Sequence, residues 1–212
     1  MMKSQLTYKR IGLFTLAALA CVSLMGCTPT SEAIEKRETK TETVPTAESA
    51  VEMHIKTIEA VLKEELNGPD VEYGQLADAA MGGNNDPNSV KQKENVVRLN
   101  SYVKERYQQY FTEEGLKEFQ SSGLKSYHSY YDTEFEIRLV ESEIKQSDID
   151  TASNQYHIKS IVELTSPGEE PSLHEVEGQV IFSTKEGKIG RFSLGQKDPT
   201  LSDKIDELSK RD

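Results

Sequence analysis

The chain has 212 residues, a formal charge of −11, no tryptophan and only two cysteines, Cys21 and Cys27. This length allows one medium-sized domain once an N-terminal targeting segment is set aside. So acidic a surface repels phosphate backbones, which argues against nucleic-acid binding, and cysteines confined to the N-terminus leave the rest of the chain without a disulfide or a zinc-thiolate site.

The N-terminal segment has the three parts of an export signal. Three basic residues precede an apolar run over residues 11–25, and the small Gly26 separates that run from Cys27. The run is too short to cross a bilayer comfortably. We therefore predict a signal peptide over residues 1–26, with an ordinary secretory signal or an N-terminal membrane helix as the alternatives.

The residues Leu24, Met25, Gly26 and Cys27 resemble the lipobox of bacterial lipoproteins. That resemblance implies a diacylglyceryl group on the Cys27 sulfur, and two acyl chains anchor a protein stably where one does not. Cleavage before Cys27 would remove three positive charges and no acid, which leaves a mature charge of −14. Because anionic head groups repel such a surface, we expect the lipid itself to hold the protein on the extracytoplasmic side of the bacterial cell membrane.

Residues 28–50 have the composition of a tether. They are rich in threonine and glutamate and contain two prolines, no aromatic residue and only two large aliphatic side chains. Such a segment cannot bury enough apolar surface to order itself. We predict that residues 27–50, from the lipidated cysteine onwards, form a disordered tether that holds a domain over residues 51–200 away from the membrane.

Three helices are predicted before residue 124, each by apolar residues at helical spacing and a cap residue at its start. The cap residues are Ser49, Ser89 and Thr112, and the helix after Ser89 is expected to be the longest, at about 20 residues. The first run stops at Gly68-Pro69 and the third at Gly123, residue types that end helices. These helices should form one layer of the fold.

The stretch between the first two helices, residues 67–89, contains four glycines and two prolines. It is predicted to be a long loop with at most a short helical turn over residues 73–81. Asn84, Asp86 and Asn88 alternate as calcium ligands can, but the glycine and the distal glutamate of an EF-hand loop are missing. Turn chemistry is the preferred explanation, with calcium binding as the alternative.

After Gly123 the apolar period changes from helical to alternating, which predicts an antiparallel sheet. Turn sequences at residues 166–168 and 186–187 lie where hairpins between successive strands would need them. The predicted strands lie near residues 127–139, 156–164, 176–182 and 188–194. The chain should close with a polar tail over residues 201–212 that adds at most one frayed helical turn.

The order of elements, helices first and a curved antiparallel sheet after them, resembles the nuclear transport factor 2-like family. Tyr110-Phe111-Thr112 closing the long helix and Gly187-Lys188-Ile189 opening the last strand carry the resemblance, which covers residues 51–196. It implies an α+β fold in which N-terminal helices pack on a curved sheet of about four strands and leave a pocket at the open end of a cone. Its members include enzymes, binding modules and assembly domains, so fold does not assign function. An unrelated helix-plus-meander domain is the alternative.

The predicted strands carry no recognisable catalytic or metal-binding motif. Their acidic residues alternate with apolar ones, which places the acids on the solvent face. His128, His157 and His174 fall one to a strand region without the spacing of zinc ligands, so a three-histidine zinc site is kept only as an alternative. The sequence has no nucleophile elbow, phosphate-binding glycine loop or metalloprotease helix. We therefore predict no catalytic residue, metal or cofactor.

Four tyrosines are the candidate binding residues. The family resemblance places the open end of the cone where the long helix meets the start of the sheet, nearest to Tyr107, Tyr110, Tyr127 and Tyr131. Rings with polar tips suit a peptide segment or a small amphipathic molecule. The alternative is that these rings belong to the core and have hydrogen-bonded hydroxyl groups.

We expect from these patterns a lipid-anchored, non-catalytic binding or assembly domain whose partner is a peptide, an envelope component or another protein. A small-substrate enzyme using the cone pocket and a structural subunit of a secretion or conjugation complex are the alternatives. The outward strand face should keep the protein monomeric at moderate concentration, because obligate dimer faces are depleted of charge. Its charged residues are Glu134, Glu136, Arg138, Lys159, Glu163 and Glu177.

Overall fold

The computed structural model describes residues 47–82, 89–128, 130–149, 154–195 and 199–210. Its elements in chain order are α1 (Ala47–Glu65), α2 (Val71–Met81), α3 (Val90–Tyr107), α4 (Glu113–Ser122), β1 (Glu136–Gln146), β2 (Gln155–Thr165), β3 (Ser172–Phe182), β4 (Ile189–Leu194) and α5 (Pro199–Ser209). Cys27 and the calcium candidates at residues 84–88 lie outside the described residues. Within the described ranges, no helix is both long and apolar enough to cross a membrane.

The four strands form one antiparallel sheet in the order β1-β2-β3-β4. Alternate residues of β2 are buried, among them Tyr156, Ile158 and Val162, whereas their neighbours face outward. The α+β class, with helices packed on a curved meander sheet of four strands, is thus confirmed. The first strand begins at Glu136, nine residues later than the alternation at Tyr127 predicted, because a short 3₁₀ helix over Ser126–His128 precedes it.

The core lies between the inward face of the sheet and the helices. Ile58, Val61 and Leu62 of α1, and Leu66 directly after it, have no exposed surface. Burying each such side chain contributes roughly 1.5–3 kcal/mol. An aromatic cluster fills the part of the core beside β4. There the rings of Phe111 and Phe119 stack with centroids 5.1 Å apart, and Phe119 also contacts Phe192 of β4. These contacts fix α3 and α4 against β4.

Two of the three predicted helix starts are confirmed. The Ser89 side chain accepts a hydrogen bond from Gln92 N–H at 3.2 Å, and the Thr112 side chain accepts one from Gly115 N–H at 2.9 Å. The prediction for Ser49 is wrong, since α1 begins at Ala47 and already includes that residue. Each confirmed cap satisfies one backbone donor that the first helical turn leaves free.

The prediction for residues 67–89, a loop with at most a short helical turn over residues 73–81, underestimates the helix there, since Val71–Met81 form α2. Asp70 caps this helix by accepting a hydrogen bond from Tyr73 N–H at 3.0 Å. Its buried residues are Gly74, Ala77 and Ala80, so it packs through small side chains and lacks the large apolar stripe that signals a helix. A Cβ atom at Gly74 would collide with the Tyr131 ring, which explains the glycine in mid-helix.

The prediction of a polar C-terminal tail is also wrong. Residues Pro199–Ser209 form α5, in which Leu201, Ile205 and Leu208 are buried. These three residues stand at i, i+4 and i+7, the spacing of one helical face. The intervening charged residues lower the mean hydropathy of the segment without interrupting that face.

Loop segments cover one end of each outer strand. Gly68, in the α1–α2 loop, exchanges two backbone hydrogen bonds with Ile137 of β1, at 3.0 and 2.7 Å. Phe111, in the α3–α4 loop, forms a parallel bridge with Ile189 of β4. These bridges place the two loops, which carry the polar groups described below, in fixed positions against the sheet.

Candidate functional site

A groove of about 560 Å³ lies between the second half of α3, α4 and the β3–β4 hairpin. Backbone hydrogen bonds hold its base: Thr112 N–H donates to Ile189 O, and Ile189 N–H donates to Tyr110 O, both at 2.9 Å. The hairpin wall is held by the Lys188 ammonium, which donates to the Gln108 carbonyl at 2.9 Å. These hydrogen bonds hold the walls of the groove together, although its residues come from distant parts of the sequence, α3 and α4 on one side and the β3–β4 hairpin on the other.

The groove combines apolar and cationic surface. Leu116 supplies apolar surface beside the buried Phe111. Three ammonium groups, those of Lys104, Lys117 and Lys188, line the groove together with the carboxylates of Glu113 and Glu186 and several uncharged polar side chains. Lys104 and Lys117 are exposed and form no ion pair among the described residues. The three lysines exceed the two carboxylates by one, so in a protein of formal charge −11 the groove has a small local excess of positive charge beside its apolar surface. That combination suits a partner with both acidic and apolar side chains.

A second recess, of about 310 Å³, lies on the outer face of the sheet and includes His157. Two lysines of that face already have partners: Lys145 pairs with Glu143 at 2.6 Å, and Lys159 pairs with Glu175 at 2.7 Å. The lysine charges of this surface are thus neutralised by neighbouring glutamates. The first groove is therefore the better candidate for binding a partner.

A buried polar network centred on Glu65 lies at the C-terminal end of α1. This residue is 2% exposed. Its Oε1 accepts a hydrogen bond from the Tyr107 hydroxyl at 2.5 Å, and its Oε2 accepts one from Lys125 N–H at 2.7 Å. Glu65 thus joins α1, α3 and the loop after α4.

Lys125 and Asp70 form the charged pair of this network. The Lys125 ammonium lies 3.2 Å from Asp70 Oδ2 and also donates to the Glu64 carbonyl. Asp70 Oδ2 accepts a further hydrogen bond from the Tyr102 hydroxyl at 2.6 Å. Lys125 has a φ of 54°, a conformation that costs a non-glycine residue energy and persists only where surrounding contacts enforce it.

His128 completes the network and is fully buried. Its Nδ1 accepts a hydrogen bond from Asp70 N–H at 2.7 Å, so the ring proton is on Nε2, which donates to the Glu65 carbonyl at 2.9 Å. Both ring nitrogens are therefore occupied by the protein. Across the described ranges of the chain, no group of three His, Cys, Asp or Glu side chains could hold a metal ion.

The network contains strongly perturbed acids and bases. Burial raises the pKa of the Glu65 carboxyl to about 7. Burial, with the nearby Lys125 charge, lowers the pKa of His128 to about 4. Burial alone would raise the pKa of Asp70, but hydrogen bonds from Tyr102 and Tyr73 and the charge of Lys125 together hold it below its ordinary value.

Such pKa shifts are common in active sites, but buried structural networks produce them as well. Here each hydrogen-bonding group of Glu65, Lys125 and His128 described above faces another group of the protein. The recesses described in this section are lined by other residues. The network is therefore best explained as a structural one, whose hydrogen bonds hold the α1–α2 loop and the end of α1 against the segment after α4.

The four candidate tyrosines lie in different environments. Tyr107 and Tyr127 are buried in the core, and Tyr107 bonds to Glu65. Tyr131 donates its hydroxyl to Asp78 at 2.7 Å. Tyr110 is half-buried and lines a shallow recess of about 400 Å³ beside α1. Their role in ligand binding stays a prediction, and the structure does not gather them around one of the recesses described here.

Sequence reasoning missed both the network and the groove, although one signal was present. Glu65 stands at i+7 from Ile58 and between Leu62 and Leu66, so it occupies the apolar face of α1. A charged residue at a core position predicts a buried partner. The groove offered no comparable signal, because Lys117 and Lys188 meet only in the folded chain.

No protein-family model, curated protein or solved structure matches the chain. The functional proposal therefore depends on the N-terminal sequence, the groove and the saturated polar network.

Proposed function

We propose that this protein is an extracytoplasmic lipoprotein of a bacterial membrane, and that its folded unit binds a partner without catalysing a reaction. The groove between α3, α4 and the β3–β4 hairpin carries the proposal, because it is preformed and combines apolar surface with unpaired lysines. The saturated network around Glu65 supports a non-catalytic role, since its acid, lysine and histidine groups already serve one another.

The proposed partner is an acidic segment of a peptide or envelope protein that carries at least one large apolar side chain. Leu116 would pack against the apolar side chain, and Lys104 and Lys117 would face its carboxylates. Binding energy in such a groove comes chiefly from the buried apolar anchor, whereas the charges favour encounter and select against basic partners.

Lipid attachment at Cys27 is tested by replacing that residue with serine. In a bacterial host the native protein should fractionate with membranes and show the mass of a diacylglyceryl group on its first residue, whereas Cys27→Ser should be released or remain unprocessed. Cys21→Ser is the matched control, because Cys21 belongs to the segment that cleavage removes. Intact-mass data showing cleavage elsewhere and an unmodified Cys27 would refute the anchor.

The groove is tested with peptides selected from a random display library against the lipid-free protein, residues 27–212 with Cys27→Ser. Selected peptides should be rich in Asp, Glu and large apolar residues. Lys117→Glu should weaken their binding by about tenfold, since it reverses a charge beside the groove. Lys159→Glu, on the outer sheet face, should change it less than about twofold. Peptides that bind both variants equally well would rule out the groove as the binding surface.

A further inference from the structure

The polar network contains an acid and a base, Glu65 and His128, that the fold removes from water together. Glu65 is 2% exposed, and His128 has no exposed surface. The two residues are also connected directly, since His128 Nε2 donates to the Glu65 backbone carbonyl at 2.9 Å. A group that is charged in the unfolded chain must either find a partner of opposite charge in the core or become neutral there.

The hydrogen bonds of His128 require a neutral ring. Its Nδ1 accepts a hydrogen bond from Asp70 N–H at 2.7 Å, and an imidazolium ion has no nitrogen left to accept one. A second ring proton would therefore point at another donor, inside a network that already holds the Lys125 ammonium. Burial and the Lys125 charge accordingly lower the pKa of His128 from 6.5 to about 4.

The surroundings of Glu65 favour the neutral carboxyl. Its two oxygens contact uncharged donors, the Tyr107 hydroxyl and Lys125 N–H, whereas the Lys125 ammonium pairs with Asp70 at 3.2 Å and Glu64 at 3.9 Å. A neutral carboxyl keeps both contacts, because one oxygen still accepts from Lys125 N–H and its O–H can donate to the tyrosine oxygen. Burial raises the pKa of Glu65 from 4.5 to about 7, against the opposing effects of these hydrogen bonds and of the Lys125 charge.

Titratable and charged groups face this pair from each element packed against it: Glu64, Asp70, Tyr73, Tyr102, Tyr107 and Lys125. Burial raises the pKa of the three tyrosines. Burial opposes ionisation of Asp70 as well, but its hydrogen bonds and the Lys125 charge hold the pKa of Asp70 below the ordinary value. The tyrosines and Asp70 therefore keep one protonation state between about pH 5 and pH 6.

We propose that Glu65 and His128 form a compensating pair, whose opposite responses to pH cancel, so that burying them adds no pH dependence to folding in mildly acidic solution. The contribution of Glu65 to stability is complete below pH 4.5 and is lost as pH rises through about 7, because the unfolded chain releases a proton that the fold retains. The contribution of His128 is complete above pH 6.5 and is lost as pH falls through about 4, because the unfolded chain takes up a proton that the fold excludes. Between these limits one change offsets the other.

Either group alone would make the fold sensitive to pH. A buried acid without the histidine would weaken the domain as pH rises, and a buried histidine without the acid would weaken it as pH falls. A protein outside the cytoplasm meets the pH of its surroundings, so the pair suits the extracytoplasmic location proposed above. Only that use of the pair rests on the proposed function.

Urea unfolding at pH 5 and pH 6 tests the pair in residues 27–212 with Cys27→Ser. Between these pH values, the folding equilibrium constant of Glu65→Gln relative to the unsubstituted protein should rise about five- to tenfold, and that of His128→Gln should fall by as much. The double variant should stay within about twofold. Each ratio removes the contributions of groups outside the pair, including the buried His54, whose pKa burial also lowers.

Glu59→Gln on α1 and His157→Gln on β2 are the matched controls, because both side chains are exposed. Their ratios to the unsubstituted protein should change by less than about twofold over the same interval, since an exposed group is hydrated in the folded and the unfolded chain alike. A ratio for Glu65→Gln or for His128→Gln that changes no more than those of the controls would overturn the proposal.

A second measurement does not require the variants to fold. In NMR titrations of the unsubstituted lipid-free protein, the His128 ring should stay neutral down to about pH 5, with its proton on Nε2, and the Glu65 carboxyl should titrate near pH 7. An ionised Glu65 carboxyl or a protonated His128 ring at about pH 5.5 would equally overturn the compensating pair. Neither the lipid on Cys27 nor the groove affects these outcomes.

Discussion

Replacing Glu65 with alanine is expected to lower the free energy of unfolding by about 2–6 kcal/mol, because it leaves two buried hydrogen-bond donors unsatisfied at about 1–3 kcal/mol each. The change leaves the Tyr107 hydroxyl and Lys125 N–H without their acceptor inside the core. It also removes one of the contacts that hold Lys125 in its left-handed conformation. Since domains of this size are stable by only about 5–15 kcal/mol, the variant should unfold at much lower urea concentration.

The matched control is Glu72→Ala, in which the side chain removed is exposed and lies 3.8 Å from Arg106. That variant should differ from the native protein by less than about 0.5 kcal/mol. Urea unfolding followed by circular dichroism measures both. If Glu65→Ala costs no more than Glu72→Ala, the network does not stabilise the fold.

Leu201→Ala in α5 is expected to cost about 2–5 kcal/mol, the usual range for a leucine removed from a filled core. Leu201 has no exposed surface, and α5 packs on β3. The midpoint of thermal unfolding should fall by roughly 4–20 °C, given about 2–4 °C per kcal/mol for a chain of this length. The measurement is thermal unfolding of the lipid-free protein, with circular dichroism as the signal.

Ser202→Ala provides the comparison, because Ser202 is exposed in the same helix. It should leave the midpoint within about 2 °C of the native value. Equal midpoints for Leu201→Ala and Ser202→Ala would mean that α5 is the frayed polar tail expected from composition.

Elements with local signals were predicted well. Ser89 and Thr112 each have a side chain that caps its own helix, and β2, β3 and β4 follow a period of two that needs no tertiary information. β1 was predicted nine residues too early, because the alternation at Tyr127 lies in the segment that forms a 3₁₀ helix. The helix α2 was predicted only as a short turn because it packs through Gly74 and two alanines, and α5 only as a frayed turn because charged residues surround its three apolar positions. In both helices the tertiary contact, rather than local propensity, decides the structure.

The candidate site was less accessible to prediction for a related reason. The hydrogen bonds of Glu65 reach Tyr107 and Lys125, 42 and 60 residues away, and no spacing rule connects such positions. The tyrosines were identified as a group, but the hydroxyl partner of each depends on packing. Polar partners in a core become visible only when the fold has brought distant segments together.

The covered ends of the outer strands bear on how copies of this protein behave when crowded. Gly68 covers β1 only at Ile137. The rest of its free edge contains a bulge at Val140 and exposed charges on Glu141, Glu143 and Lys145. Bulges and charges of this kind stop another chain from extending the sheet. Strand addition is open-ended and leads to aggregation. The protected edge of β1 should therefore keep copies that are held close together from joining their sheets.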